Sequence, residues 1–268
     1  MNFGRNSLQI GNFHIYYYGM IIAIAILVAF AIGLLMFRVV GYKDEIAYMI
    51  LILCVPLGII GARLYYVIFS DWSMYNSFFD VINMRGGGMA IYGGIIGGAL
   101  GLFIVARIKK CGFFTLADLC VVGLILAQSI GRFGNFVNQE AYGFAVGVHV
   151  PPFTVNIDGQ AHLATWFFES MLNLIGFVVL FIWYTMKLKR EKYVWGTGSA
   201  MYLIWYGVTR AIIEPLRNDS LTMFGSSTFL LNRVSFMLSL AIIIAGVVLY
   251  ICAKKGLVSQ ENKECLKK

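Results

Sequence analysis

Charged residues are scarce in this sequence. Aspartate, glutamate, lysine and arginine make up 13% of its 268 residues, about half the share found in an ordinary soluble domain. Hydrophobic residues make up 60% of the chain, and its mean hydropathy is +0.79. Such a composition excludes a surface that faces water on all sides, and it excludes disordered, coiled-coil and collagen-like chains. The sequence therefore predicts a membrane protein.

Several motifs that would identify an enzyme class are also missing. The five cysteines form no CxxC pair, and the three histidines have neither HExxH nor another metal-ligand spacing,. The sequence contains no Walker loop and no GxSxG nucleophile motif,. We therefore expect no metal and no other cofactor, and we interpret the cysteines as small apolar side chains with free thiols.

Long apolar segments dominate what is present, and a helical span needs about 20 such residues. The sequence predicts an all-α polytopic membrane protein with a single integral domain over residues 1–268. Residues 137–164 form the only long insert, with a β-prone stretch at 153–155, and we expect a small extracytoplasmic cap there, between spans four and five. The seven predicted spans are Tyr17–Val40, Ile46–Phe69, Gly88–Ala106, Phe114–Gly134, Thr165–Met186, Gly196–Glu214 and Val234–Ala253.

Basic residues are distributed unevenly over the predicted loops. One side of the membrane receives two thirds of the 21 lysines and arginines, including every lysine, and the other side receives only arginines. Because lysine-rich and arginine-rich loops stay in the cytoplasm, we expect the N-terminus outside and the C-terminus in the cytoplasm. The net charge of +8 then comes from basic residues on the cytoplasmic side of the membrane. No nucleic-acid partner is needed to explain it, and none is predicted.

Polar side chains from six of the seven predicted spans lie at one depth, in the outer half of the membrane. Burying a charge at a helix centre costs about 2.5–3.5 kcal/mol on insertion scales, so these residues need a function or a partner. A transporter of a small anionic solute is the alternative function, although it would favour polar groups at the midplane. The residues at the outer depth are Tyr18, Arg63, Tyr92, Arg132, Glu169, Arg210 and Glu214.

Span four ends in a dense run of polar residues. Gln128, Arg132 and Asn135 are spaced i, i+4 and i+7, so a helix places them on one face,. Asn138 continues this stripe, and Glu140 follows shortly after it. The run is typical of a binding site, and an interhelical hydrogen-bond network is the structural alternative.

Span six carries a second polar stripe. Tyr202, Tyr206, Arg210 and Glu214 are spaced by four residues and share one helix face,. Arg210 and Glu214 can pair, which reduces the cost of burying both. Pro215 disfavours helical geometry at the residue before it and predicts the end of the helix. A purely structural ion pair at a helix end is the alternative here.

The segment Gly131–Glu140, with the sequence GRFGNFVNQE, closely resembles the signature of the prolipoprotein diacylglyceryl transferase family. The resemblance extends over most of the chain, and the order of the motifs and the seven-span topology agree with it. The other segments that resemble the family are Tyr18–Met20, Gly61–Arg63, Gly93–Gly97, Glu169 and Tyr206–Glu214.

The resemblance implies a multi-pass enzyme of the bacterial plasma (inner) membrane. Such an enzyme transfers the diacylglyceryl group of phosphatidylglycerol to the lipobox cysteine of a prolipoprotein, which forms a thioether and releases glycerol phosphate as the first step of bacterial lipoprotein maturation. Its partners are phosphatidylglycerol, prolipoprotein signal peptides with a lipobox cysteine and the lipid bilayer. By resemblance, Arg132 holds the lipid headgroup, and Arg210 is a second essential arginine that Glu214 orients.

One expected site residue departs from the family pattern. Tyr92 occupies the position where many family members have a histidine, directly before two glycines. Because an ordinary tyrosine has a pKa near 10, it is a poor base, and we expect it to donate a hydrogen bond instead. The expected catalytic residues are Arg132, Arg210, Glu214 and Tyr92, and the expected substrate-binding residues are Arg132, Asn135, Asn138, Glu140, Tyr18, Arg63, Tyr206 and Glu169.

Overall fold

The computed structural model describes residues 2–3, 7–10, 13–72, 75, 77–83, 87–189, 193–218 and 233–258. Helices account for most of this part of the chain, and five short strands complete it. The helices are α1 (Tyr17–Val40), α2 (Asp44–Phe69), α3 (Phe78–Ile82), α4 (Ile91–Ile108), α5 (Phe113–Asn138), α6 (Thr165–Lys189), α7 (Thr197–Ile213) and α8 (Val234–Lys254).

Six of these helices are long and apolar enough to cross a membrane, namely α1, α2, α4, α5, α6 and α8. The prediction of a polytopic helical membrane protein is therefore confirmed. The remaining predicted span corresponds to α7, which has 17 residues and lies at the short end of the range for a spanning helix. Its membrane crossing stays a prediction.

Most helix ends fall within three residues of the predicted span limits, and two of the differences bear on the predicted site. α4 begins at Ile91 rather than Gly88, because Gly87 and Gly88 have φ angles of +87° and +77° that a right-handed helix excludes,. α5 continues beyond Gly134 to Asn138. The polar run of span four is therefore helical as far as its last asparagine.

The strands form two small antiparallel sheets. β1 (Asn2–Phe3), β2 (Ser7–Ile10) and β3 (Phe13–Tyr16) pair in that order before α1, and the sequence patterns did not predict them. β4 (Thr154–Ile157) and β5 (Gln160–Leu163) form a hairpin within the insert between α5 and α6. The hairpin turns at Asp158 and Gly159, both with positive φ, as a two-residue turn of this kind requires.

The described residues divide into two compact units. The first unit contains β1 to β3, α1 up to Gly33, and the chain from Asp118 to Val258. The second unit contains α1 from Leu34, then α2, α3 and α4, and the start of α5 up to Ala117.

Glycines bring α2 and α4 of the second unit into close contact. A Cβ added at Gly93 would overlap the Gly61 carbonyl, and one added at Gly97 would overlap the Leu57 carbonyl. Small residues at such spacing let two membrane helices approach through their backbones. The glycine run of α4 is thus explained by packing.

The helices α5, α6 and α7 meet in the first unit around a core cluster of Val121, Ile125, Leu180 and Tyr202. Closer to the end of α5, Ser129 and Ser170 exchange hydrogen bonds: each hydroxyl donates to the other's carbonyl oxygen, at 2.8 and 2.9 Å. These bonds hold α5 against α6 next to the charged residues described below.

The carboxylate of Asp118 on α5 caps the N-terminus of α7. It accepts hydrogen bonds from the backbone N–H groups of Gly196 (2.7 Å), Gly198 (3.3 Å) and Ser199 (2.6 Å), and from the hydroxyls of Ser199 and Tyr193. Burial raises the pKa of Tyr193, in the loop before α7, well above its usual value, so the phenol stays a donor. Negative charge at a helix N-terminus is favourable, and the cap couples α5 to α7.

One sequence interpretation of the cysteines is wrong. Cys54, Cys120 and Cys252 are free, but Cys111 is disulfide-bonded. Motif spacing identifies metal and CxxC sites, whereas disulfide pairing cannot be deduced from sequence alone. The prediction of free thiols therefore fails at Cys111.

Candidate active site

Glu169 of α6 lies at the centre of a cluster of charged side chains in the first unit. Its carboxylate pairs with Arg132 of α5 through Oε2, and with Arg210 of α7 through Oε1 at 2.7 Å. Arg217, which follows α7, places Nη1 at 3.7 Å from the same Oε1. The Glu169 side chain is only 7% exposed, so one buried carboxylate is shared by three guanidinium groups.

Arg210 also pairs with Glu214, one helical turn further along. Its Nη2 lies 2.7 Å from Glu214 Oε2, and Glu214 is fully buried. The predicted ion pair between the two residues is therefore confirmed. α7 ends at Ile213, and a 3-10 turn over Glu214–Leu216 contains the proline that was expected to end the helix.

The polar run at the end of α5 folds back on itself. Arg132 donates to Asn135 Oδ1 at 3.3 Å, and Asn135 donates to Glu140 Oε1 at 2.9 Å. Asn138 donates to the same Glu140 oxygen at 3.4 Å. The return is possible because Gln139 adopts a positive φ of 54°. Four of the predicted site residues thus form one hydrogen-bonded chain that ends at the Arg132 guanidinium.

Two tyrosines approach this cluster. The ring of Tyr18 on α1 lies against Gly134, where an added Cβ would come within 2.6 Å of Tyr18 Cδ2. Tyr18 is also within electrostatic range of Glu140 and Arg132. Tyr206 on α7 lines a small cavity together with Glu169 and Arg210. The first unit therefore brings together most of the predicted site residues.

Three guanidinium groups meet in this cluster. The guanidinium groups of Arg132, Arg210 and Arg217 face two carboxylates, Glu169 and Glu214. The arginine side chains are 22%, 15% and 13% exposed, so each is partly shielded from water. Arginine forks in such surroundings bind phosphate or carboxylate groups with two parallel hydrogen bonds.

Arg63 lies in the second unit, and its guanidinium contacts backbone. It donates to the carbonyl oxygens of Val81 and Asp80 (both 2.7 Å), Gly87 (3.0 Å) and Gly88 (2.9 Å). These bonds use four of the five N–H groups that an arginine offers and tie the segment between α2 and α4 to α2. The geometry supports a role in shaping this segment, and the expected contact with substrate stays a prediction.

Tyr92 also lies in the second unit, in the first turn of α4. Its ring is half-buried, and its centroid is 6.2 Å from that of Tyr65. The predicted catalytic role of Tyr92 is not tested by these contacts and stays a prediction.

Three residues of the cluster were missed by the sequence patterns. Asn173 lines the cavity beside Glu169, and its spacing of i+4 from Glu169 could have indicated this. Arg217 reaches Glu169, and Arg233 donates from Nη1 to the Glu214 carbonyl oxygen at 2.5 Å. Neither arginine belongs to a helical stripe, so no periodic signal could have found them.

The apolar helices and the buried arginine–glutamate cluster together define a polytopic membrane protein with a polar centre suited to an anionic ligand. The chain belongs to the prolipoprotein diacylglyceryl transferase family, whose family model matches residues 5–252. The resemblance that the segment Gly131–Glu140 indicated is thereby confirmed.

Individual relatives agree with this assignment. The chain is 40% identical over 256 residues to a phosphatidylglycerol–prolipoprotein diacylglyceryl transferase of Listeria monocytogenes serotype 4a (strain HCC23), with 91% of this chain and 88% of that protein covered. It is 35% identical over 260 residues to the protein of the same name from Finegoldia magna, with 97% and 99% covered. The protein of that name from Ligilactobacillus salivarius is 39% identical over 253 residues, with 90% of each chain covered.

Proposed function

We propose that this protein transfers the diacylglyceryl group of phosphatidylglycerol to the cysteine thiol of a prolipoprotein, the activity named for its relatives. The observation that carries the proposal is the position of Glu169 between Arg132 and Arg210, in a chain that matches the family over residues 5–252. The transporter alternative is not favoured, because the relatives are named as transferases.

The proposed reaction exchanges one bond for another. The cysteine sulfur attacks the glycerol carbon that bears the phosphate, and a carbon–sulfur bond forms as the carbon–oxygen bond breaks. The electron pair of the broken bond stays on the phosphate oxygen, which leaves as glycerol phosphate and takes up the thiol proton. Negative charge therefore develops on the leaving oxygen, and preorganised cationic donors at that point lower the barrier.

Arg132 and Arg210 are the proposed donors. Glu169 holds Arg132 on Oε2 and Arg210 on Oε1, so the two guanidinium groups flank one carboxylate and can direct their remaining N–H groups at one phosphate. Glu214 orients Arg210 from its other side. Because both guanidinium groups are already held in place, less entropy is lost when the phosphate binds.

The other expected residues receive supporting roles. We assign Asn135, Asn138 and Glu140 to the orientation of Arg132, through the hydrogen-bonded chain that joins them. Tyr18 and Tyr206 border the cluster and can donate hydrogen bonds to lipid oxygens,. Arg63 and Tyr92 keep their expected roles as a substrate-binding residue and a hydrogen-bond donor, respectively.

The proposed topology has seven spans in the bacterial plasma (inner) membrane, with α7 as the remaining span. The lysine distribution supports an N-terminus outside and a cytoplasmic C-terminus,. In this orientation the arginine–glutamate cluster lies in the outer half of the membrane, and residues 137–164 form an extracytoplasmic cap. The lipobox cysteine of a translocated prolipoprotein would reach the cluster from the same side.

The test uses the purified full-length protein in detergent with phosphatidylglycerol and a synthetic lipobox peptide. Mass spectrometry should show the peptide heavier by one diacylglyceryl group, and glycerol phosphate should accumulate in equal amount. A peptide with serine in place of the cysteine, and phosphatidylcholine in place of phosphatidylglycerol, serve as controls. Absence of the lipidated peptide with a correctly folded protein would contradict the proposal.

A further inference from the structure

A second polar layer lies one helical turn away from the charged cluster, on the same three helices of the first unit. Each of its members lies four residues from a charged residue of the cluster. In each helix the four residues run away from the end that carries the charge. Four residues correspond to about 6 Å along a helix axis. The members of this layer are Gln128 on α5, Asn173 on α6 and Tyr206 on α7.

The amide of Asn173 has unused hydrogen-bonding capacity. Asn173 is 4% exposed and lines the small cavity beside Glu169. Within the described ranges of the chain, its side chain makes no hydrogen bond. The amide can therefore bond a polar group that enters this cavity,.

The side-chain amide of Gln128 is also only partly hydrogen-bonded. Its Nε2 donates to the hydroxyl of Tyr202 at 2.7 Å, whereas its Oε1 is buried and has no partner among the residues that the structure describes. Polar side-chain groups without a described hydrogen-bond partner thus occur on both α5 and α6. The layer is not a closed structural network.

The cavity itself offers donors for one small acceptor. It has room for about one water-sized group,. The Thr209 hydroxyl in its wall donates to the Tyr206 carbonyl oxygen at 3.0 Å and is already used. Arg210 also lines this wall but is assigned above to the phosphate, so Asn173 and Tyr206 supply the uncharged donors that a ligand could use in its described part.

We infer that Asn173 and Tyr206 bind an ester carbonyl oxygen of the diacylglyceryl group, an inference that rests on the proposed function. In a glycerophospholipid the ester carbonyls lie a few bonds from the phosphate, towards the acyl chains. A phosphate held by Arg132 and Arg210 therefore places them deeper along the helices, where the polar layer lies. A carbonyl oxygen is water-sized and only accepts hydrogen bonds, which matches the cavity and its donors.

This subsite gives the lipid a second point of attachment next to the reacting carbon. The arginines alone would hold the phosphate but leave the glycerol free to rotate about its bonds. Fixing a carbonyl oxygen as well limits this rotation and aligns the carbon for attack by the thiol. The subsite also makes the enzyme sensitive to the ester group, which takes no part in the bond exchange.

The test compares two phosphatidylglycerols of equal chain length, one with ester-linked and one with ether-linked chains. The ether lipid lacks the carbonyl oxygens and is otherwise similar. For the unchanged protein, kcat/KM should be about tenfold lower with the ether lipid, as expected for the loss of one hydrogen bond at a buried site. Asn173→Leu, which is close to isosteric, should lower kcat/KM for the ester lipid only, so that the ratio between the lipids approaches one.

Two further variants distinguish the loss of this subsite from a general loss of folded, active protein. Tyr206→Phe should also reduce the ester-to-ether ratio, whereas Thr209→Val should keep it, because the Thr209 hydroxyl serves its own helix. The ratio of the kcat/KM values for the two lipids, measured with one variant, does not depend on how much of the protein is folded. If Asn173→Leu is too unstable to assay, the result with Tyr206→Phe decides.

The outcomes distinguish the subsite from the proposed function. If the unchanged protein uses both lipids equally well, or if Asn173→Leu and Tyr206→Phe both keep the full preference for the ester lipid, the subsite is refuted and the transferase proposal stands. If the folded protein transfers no diacylglyceryl group from the ester lipid, the proposed function fails and the subsite fails with it.

Discussion

Arg210 on α7 donates from Nη1 to Oε1 of Glu169 on α6 over 2.7 Å. The other oxygen of this carboxylate pairs with Arg132 on α5, so Glu169 joins three helices through its side chain. Glu214, by comparison, pairs with an arginine only four residues before it in the chain. Glu169 is therefore the residue on which the mutual arrangement of the two proposed phosphate-binding arginines depends.

We expect Glu169→Gln to lower transfer activity at least tenfold and to destabilise the protein. Removing one partner from a buried ion pair typically costs about 3–5 kcal/mol, because the remaining charge is left uncompensated. Thermal unfolding and the lipobox peptide assay measure the two effects. Glu45→Gln is a matched control, because Glu45 pairs with Lys109 at an exposed position, where such pairs contribute at most about 1 kcal/mol. Equal effects of both substitutions would contradict the central role of Glu169.

We expect Arg132→Lys to lose most of its activity although the positive charge is kept. Arg132 contacts Asn135 with Nη1 and Glu169 with Nη2, and a lysine ammonium cannot reproduce this planar fork or bind phosphate in the same way. A loss of roughly a hundredfold in kcat/KM corresponds to about 2.7 kcal/mol of transition-state stabilisation. Near-normal transfer by a stably inserted Arg132→Lys protein would refute the bidentate role.

The pairing of Arg210 with Glu214 predicts energetic coupling between the two residues. Single substitutions Arg210→Gln and Glu214→Gln each leave one buried charge without this partner, and the double substitution removes both charges. A double-mutant cycle in unfolding free energy and in kcat/KM should therefore show an interaction energy of about 0.5–3 kcal/mol. If the single effects add in both measurements, the pair seen at 2.7 Å has no energetic consequence.

Contacts within one helix could be predicted from sequence, because helical geometry is the same in every protein. The spacing of Arg210 and Glu214 indicated their pairing, and the apolar runs located the helices to within a few residues. The stripe at the end of α5 likewise placed Arg132 and Asn135 on one face, where they are hydrogen-bonded.

Contacts between helices could not be predicted, because they depend on how the helices are packed. The sequence predicted the same depth for Glu169 and the two arginines but gave no indication that Glu169 pairs with both. Arg63 illustrates the same limit, since its bonds to loop carbonyls depend on the path of the chain between α2 and α4. The strands before α1 are too short for their alternation to be recognised,.

We expect Asp118→Asn to destabilise the protein without altering the chemical step directly. An asparagine amide has a single acceptor oxygen, and its NH₂ group would face N–H and O–H donors that now bind the carboxylate,. The expected loss is about 1–3 kcal/mol in unfolding free energy, measured by thermal unfolding in detergent. Ser199→Ala removes one hydroxyl donor and should cost less. An unchanged melting temperature for Asp118→Asn would show that the cap does not hold α7.

The last prediction concerns Tyr92. If this residue removed the thiol proton, an ordinary phenol with a pKa near 10 would be mismatched to neutral pH by several units, and each unit corresponds to about 1.4 kcal/mol. A phenol that only donates a hydrogen bond does not need a pKa near neutral pH, and an imidazole N–H can donate in the same way. Tyr92→Phe, which can keep the ring contact with Tyr65 while losing the hydroxyl, should therefore be impaired but measurably active, and Tyr92→His should retain activity. Neither substitution should add or remove a pKa in the pH dependence of kcat/KM. A folded Tyr92→Phe protein that binds phosphatidylglycerol normally and shows no turnover would instead establish an essential proton transfer at this position.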